Sequence, residues 1–382
     1  MFGSAAKVLY RPAWQGGYIE VLPVSVHTLL MELLIGSYTV GSDSEGIYRV
    51  NLDLSLGSLA PATLSSAAIN PSFLLRHPHL GIVYCVNEIS GSDDAGRVSW
   101  FELNPDGSCA FAGQVASGGQ DPCHLAINKQ ASLLAVANYT SGSLSLVAVN
   151  SDGSLDKPQY VQSHADRWLE RMNRKARNRA RQQAAHVHST LFSDDGQSLF
   201  IADLGSDEWL CQKISAQGQL HPPLIEIQFA GGTGPRHFCL SNGGETAYVV
   251  TELSNSLATI NLLADGAEIT HQQSCLGDYK GFSEAAEVQL SQDGRFVYVS
   301  NRGADSIAVF AVVEGKLSQL QVVSAHGRHP RHFLLVPGYL IVASRDDNRL
   351  ILLKRDAQSG RLSSLPVAEL ELPCPVHILA LD

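Results

Sequence analysis

Apolar and polar residues alternate in short bursts along most of this chain, and the bursts come in groups. Between Ala285 and Val312 (AAEVQLSQDGRFVYVSNRGADSIAVFAV) three stretches are legible: Glu287–Leu290, Arg295–Ser300 and Ser306–Val312. Gln292-Asp293-Gly294 separates the first two, and Arg302-Gly303-Ala304-Asp305 leads to the third. Such residues tolerate the positive φ that hairpin turns need. A fourth stretch follows near Leu317–Ser324. The period of two predicts strands, and the turns predict antiparallel hairpins.

The same phrase recurs. Copies begin near Asn70, Asp121, His186, Gly234, Ala285 and His329. Each has an apolar strand, in most copies a turn such as Ser-x-Asp-Gly, a second apolar strand, a small polar residue and a change of direction. Separations of roughly 44 to 65 residues fall in the range of propeller repeats. Six copies leave two fragments. LLIGSYTVGSDSEGIYRVNLD, just after Met31, resembles the second and third strands of a blade lacking its first. CPVHILALD at Cys374–Asp382 supplies a first strand, with Pro375 and His377 matching Pro235/His237 and Pro330/His332. The pattern predicts an all-β fold: a seven-bladed β-propeller of four-stranded antiparallel blades over residues 31–382, closed by strands from both termini. Closure of that kind protects the sheet edges. Residues 1–30 read as an N-terminal extension outside the fold, with Met31 placed to serve as an initiator.

Composition fits this picture and adds a compartment. The chain has 382 residues, 45% hydrophobic, with 33 Gly and 16 Pro, ample for a core and for many turns. No apolar run reaches the roughly 18 residues of a membrane helix. The nearest, Val21–Ile35, is interrupted by Pro23, His27 and Glu32, so no membrane partner is expected. Seven scattered cysteines with no C-x-x-C pair favour reduced thiols in a cytoplasmic protein over a disulfide framework. A net charge of −10 argues against nucleic acid as a partner.

In such a blade the first two strands are antiparallel. The start of the first and the end of the second therefore meet on one face, beside the central channel. First-strand starts carry His124, His186, His188, Arg236, His237, Glu287, Arg331 and His332. Second-strand ends carry a recurring small polar residue (Ser37, Asn87, Asn138, Asp203, Thr251, Asn301, Ser344), best read as turn chemistry. The residue after it varies sharply: Tyr38, Glu88, Tyr139, Leu204, Glu252, Arg302, Arg345. That variable column is the candidate functional one, because structure does not require Glu in one blade and Arg in the next. Arg236, Glu252 and Arg302 would place three charges near a channel mouth, where they need partners or solvent. The recurring His of Pro-x-His also reads as a strand-end hydrogen bonder. His186 and His188 share a strand face as a metal pair would, but no third ligand of comparable quality accompanies them. Neither metal nor cofactor is expected.

The longest interval between copies holds a basic insertion at 164–185. Its core, Asp166–Gln183, has seven Lys or Arg residues and no Gly or Pro, which predicts a helix. Basic residues occupy nearly every face, unlike an amphipathic membrane helix. The segment runs into His186 and His188, so its end, with Arg181, must lie by the channel mouth. It reads either as a rim that attracts an anionic substrate or as a solvated surface excursion.

These motifs in order carry a resemblance. IGSYT stands near the start; RQ is followed shortly by H-x-H and an F-S-x-D-G turn. G-P-R-H-F comes next, with Glu252 sixteen residues after its Arg, and then A-E-V-x-L-S-x-D-G-R-F-x-Y-V-S-N-R-G. From Met31 to Asp382 the chain resembles the seven-bladed propeller lactonases, which include bacterial 6-phosphogluconolactonases and the fungal 3-carboxy-cis,cis-muconate lactonising enzyme. The resemblance implies hydrolysis of 6-phospho-D-glucono-1,5-lactone, a small anionic sugar-phosphate lactone, without a cofactor. It implies catalytic roles for His188, Arg236, Glu252 and Arg302. His186, His237, Glu287, Arg331 and Arg181 are candidate substrate-binding neighbours, with the register of H-x-H left open. A lactonising cycloisomerase on a carboxylated muconate and a non-enzymatic propeller scaffold are the alternatives. Three charges of mixed sign at one channel mouth favour an anion-handling enzyme over a scaffold.

Overall fold

The computed structural model describes residues 29–381, apart from 92–94, 172–177 and 264–265. Residues 1–28 of the expected extension lie outside the described residues. The repeat that starts near Ala285 forms strands Glu284–Leu290, Phe296–Arg302, Ser306–Val313 and Lys316–Ser324, hydrogen-bonded in that order. Five further sheets repeat it, with innermost strands beginning at Leu74, Pro122, Val187, Pro235 and Pro330. The remaining sheet joins the termini. Pro375–Ala380 is its innermost strand, paired with Leu30–Ser37, and Gly46–Asp53 follows. Seven blades thus close on themselves as the repeats predict.

Second strands are almost continuously apolar because both of their faces are buried. Along Phe296–Val299 successive residues enter different cores. Val297 and Val299 pack with Tyr248 and Val250 of the preceding blade, whereas Phe296 and Tyr298 pack with Phe333 and Leu340 of the following one. Among the described residues seven such clusters fill the seven junctions between blades. The Ser-x-Asp-Gly phrase makes the turn between the first and second strands. Ser291 Oγ donates to Asp293 Oδ1 at 2.6 Å, and Gly294 takes φ +71°, a conformation open to glycine at little cost.

Two local devices prepare the channel mouth. The small polar residue ending a second strand ties neighbouring segments together in several blades: Asn87 Nδ2 donates to the Ile69 carbonyl at 2.7 Å, and Asn301 Nδ2 to the Cys275 carbonyl at 3.1 Å. The innermost strands of six blades also enter with an irregular register. One residue too many is inserted at Cys123, His188, Arg236–His237, Ala286–Glu287, Arg331 and Val376. A bulge bends its strand and re-aims the side chain it carries. Within the insertion a helix spans Ala165–Arg171, residues 178–185 are turn and irregular backbone, and 172–177 lie outside the described residues.

Candidate active site

The bulge column and the variable second-strand column meet in one cavity of about 230 Å³. The second-strand column supplies Tyr38, Glu88, Tyr139, Glu252 and Arg302; the bulges supply Cys123, His188 and Arg331; the insertion supplies Arg181. Clefts of about 420 and 460 Å³ between outer strands are roomier, the first lined in part by Phe101 and Phe111 and the second by Val115, Pro158 and Val161. Drug-sized sites usually run from about 300 Å³ upward. The channel-mouth cavity therefore suits one small polar molecule.

Glu252 is the hub of the site and is 1% exposed. Its Oε2 lies 3.1 Å from Arg236 Nε and 2.8 Å from Arg302 Nη2, and its Oε1 is paired with Arg181. Burial alone would raise its proton affinity. The guanidiniums of Arg302, Arg236 and Arg181 more than reverse that and hold the carboxyl well below the usual carboxylate range. Two of these partners are fixed by backbone. Arg236 Nη1 donates to the Ala286 carbonyl at 2.7 Å; Arg302 donates to the Glu284 and Ala285 carbonyls, each at 3.2 Å. Burial and the nearby Arg302 and Arg331 pull Arg236 down to about 10, so it stays charged at neutral pH.

Across the cavity sits a second set. Tyr38 donates its hydroxyl to both Glu88 oxygens at 2.9 Å, and Arg331 lies 3.8 Å from Glu88 with its guanidinium 5.2 Å from the Tyr38 ring centre. His188 stands between the two sets. Burial and Arg236 push its pKa far down, so the imidazole is uncharged. Its ring meets Tyr139 and His237 edge-on, with centroids 5.4 and 5.1 Å away.

A belt of side chains closes the channel one residue further along each strand. His332, His377, Phe73 and His124 follow one another with ring centroids 4.1 to 4.2 Å apart. His124 meets His237 at 5.3 Å, His237 Nδ1 is 2.7 Å from Glu287 Oε2, and Glu287 Oε2 is 3.9 Å from His332 Nε2. The backbone N–H groups of Leu74 and Ile378 donate to His377 Nδ1 and His332 Nδ1 at 3.3 Å, and that of Thr190 to His124 Nδ1 at 3.5 Å. Each of these imidazoles therefore pins the next blade. Among the described residues no cluster of three or more His, Cys, Asp or Glu could hold a metal ion, and no helix is long and apolar enough to cross a membrane.

The family model for "Lactonase, 7-bladed beta-propeller" matches residues 32–380. This chain belongs to that lactonase family. A 6-phosphogluconolactonase of Bacillus subtilis strain 168 is 32% identical over 352 residues, covering 90% of this chain and 96% of the relative. A second protein of that name, from Formosa agariphila, is 30% identical and covers 87% and 95%. Among solved structures, the periplasmic gluconolactonase of Pseudomonas aeruginosa superposes with a TM-score of 0.84 at 29% identity, covering 92% of this chain and 99% of its own. A putative 6-phosphogluconolactonase of Bacteroides uniformis gives 0.82 at 28% identity, covering 92% and 99%.

In this lactonase-family chain the cavity is lined by His188, Glu252, Arg302, Arg331 and Arg181, and Arg236 lies behind the lining against Glu252. The structure places three other candidates elsewhere. His186 stacks behind Tyr139 at 4.3 Å and shares its Nδ1 with the Tyr139 carbonyl at 2.9 Å. The bulge places His188 in the cavity lining and leaves His186 behind Tyr139. His237 and Glu287 lie in the belt. Cys123 was not a candidate. It occupies the bulge position held by Arg236 and Arg331 elsewhere, so aligning the Pro-x-His copies finds it.

The belt predicts a pH effect on stability. Burial, only partly opposed by Arg236, pushes Glu287 up to about 8, while an unfolded chain has it near 4.3. The folded protein therefore keeps a proton that the unfolded chain releases. This contribution is fully present below about pH 4.3 and is lost as pH rises through 8. At about 1.4 kcal/mol per unit, the wild type should lose on the order of 4 kcal/mol from this group between pH 5 and 9. Glu287→Gln should show no such loss. Urea midpoints at both pH values would check it, and parallel pH dependences in the two proteins would count against it.

Proposed function

We propose that this chain hydrolyses 6-phospho-D-glucono-1,5-lactone to 6-phosphogluconate. One observation carries the reading: a cavity sized for one small polar molecule is ringed by Arg181, Arg302 and Arg331 around a fully ionised Glu252. The names of the relatives point to the same substrate. Opening the lactone needs a water activated for attack at C1, stabilisation of the oxyanion, and a proton for the departing ring oxygen. Glu252 can take the water's proton and return it to that oxygen as the C1–O bond breaks. Arg302, held by backbone carbonyls, presents preorganised charge to the oxyanion, and Arg236, behind the lining, braces Glu252. Arg331 and Arg181 are left to grip the phosphate, a geometry suited to bidentate guanidinium contacts. His188, uncharged, offers a ring nitrogen to a sugar hydroxyl. Each group acts without a metal, so the rate should survive a chelator.

Five of the seven thiols are buried and none is paired, which supports the reading of a protein working in the reducing cytoplasm. A substrate panel tests the function. Freshly generated 6-phosphogluconolactone should be opened faster than its spontaneous background, with or without chelator. A carboxylated muconate should remain uncyclised. Cyclisation of the muconate with no effect on the lactone would overturn the proposal in favour of the cycloisomerase.

A further inference from the structure

The three guanidiniums on Glu252 are not equivalent. Arg236 and Arg302 are 2% and 6% exposed in their side chains and are locked to backbone carbonyls. Arg181 is 32% exposed. Among the described residues its side chain donates only to other side chains: Glu252, Glu284 and the Tyr139 hydroxyl. Its backbone, by contrast, is fixed. Gln182 is fully buried and donates to the Leu204 carbonyl at 2.8 Å, while Trp168 Nε1 donates to the Gln182 carbonyl at 3.1 Å. The start of the insertion is anchored by the buried His164–Asp203 contact at 3.0 Å. A turn pinned by its neighbours thus presents at the cavity rim one cation held by side chains alone among the described residues.

Glu252 has one oxygen, Oε2, held by both fixed arginines, and another, Oε1, held by Arg181. While Arg181 is there, its guanidinium takes one acceptor site of Oε1 and competes with any water that oxygen would orient. A dianionic phosphate entering the cavity is a stronger acceptor for a guanidinium than a carboxylate that already has two. Glu284 would not be left without a cation, since Arg302 Nη1 lies 3.8 Å away.

We propose that Arg181 is an exchangeable counter-ion that reads the phosphate of the substrate. When phosphate binds, Arg181 moves from Glu252 to it. Oε1 is freed to orient the attacking water, and the carboxylate recovers proton affinity as one of its three cations leaves. The insertion therefore makes lactone opening conditional on a phosphate, and a lactone without one meets a resting, neutralised Glu252. This inference rests on the lactonase reading above and names how that site selects its substrate.

The test supplies the phosphate separately from the lactone. Hydrolysis of unphosphorylated D-glucono-1,5-lactone would be followed in the full-length protein with increasing phosphite dianion. Phosphite should accelerate the wild type severalfold and leave Arg181→Gln unresponsive. In the same variant the ratio of kcat/KM for the phosphorylated over the unphosphorylated lactone should fall roughly 10- to 100-fold, the scale of one lost charge-assisted hydrogen bond. Arg181→Lys should restore part of both effects. Thermal melts would confirm that the variants are folded. If the wild type opens the phosphorylated lactone but phosphite gives no acceleration, or if the selectivity ratio is unchanged in Arg181→Gln, the exchange is wrong while the lactonase reading stands. If neither lactone is opened above background, the lactonase reading itself has failed.

Discussion

Glu252→Gln should lower kcat for lactone opening by roughly 10²–10⁴-fold, the usual range for a general base. The amide keeps the size of the side chain but cannot accept a proton from water. It also removes the charge that holds three guanidiniums together. Deleting one partner of a buried ion pair costs about 3–5 kcal/mol, so the variant should melt earlier as well. The two effects separate in a single experiment. Turnover would be measured well below the variant's own melting temperature, with circular dichroism confirming the fold. A folded variant with full turnover would remove Glu252 from the chemistry.

Arg302→Met should cost about 10²–10³-fold in kcat, as loss of one oxyanion donor does. Arg302 is at once a partner of Glu252 and the donor to the carbonyls of Glu284 and Ala285. Arg302→Lys should recover little, because a single ammonium cannot reproduce a planar fork that meets a carboxylate and two carbonyls together. Steady-state kinetics would show a fall in kcat larger than any rise in KM. A change confined to KM would make Arg302 a binding group instead of an oxyanion donor.

The seven blades were legible in the sequence because each repeat carries its own turn chemistry and alternation, and each junction is packed by alternate residues of strands in neighbouring blades. The site was legible where two columns crossed. Glu252 and Arg302 stand where other blades carry Tyr38, Glu88 and Tyr139. What the residues alone left open was decided by the bulge. A strand without one puts His186 and His188 on the same face, and Arg236 and His237 on opposite faces. The extra residue instead brings Cys123, His188 and Arg331 into the cavity lining and sets Arg236 against Glu252, with the His of Pro-x-His in the belt below. That is why Cys123 lines the site and why His237 and Glu287 sit beneath it. The structure describes the basic insertion as a helix only over Ala165–Arg171. Arg181 reaches Glu252 from a turn pinned by Gln182, an anchor that composition and helix propensity do not report.

The central claim is that an ionised Glu252 at this channel mouth opens a phosphorylated lactone. The most direct measurement takes purified wild type and Glu252→Gln side by side. Each is given freshly generated 6-phosphogluconolactone in weakly buffered solution, and proton release is followed against the spontaneous background. A large excess rate in the wild type, nearly abolished in the folded variant, is the result predicted here. No excess in the wild type, or equal excess in both, would contradict it.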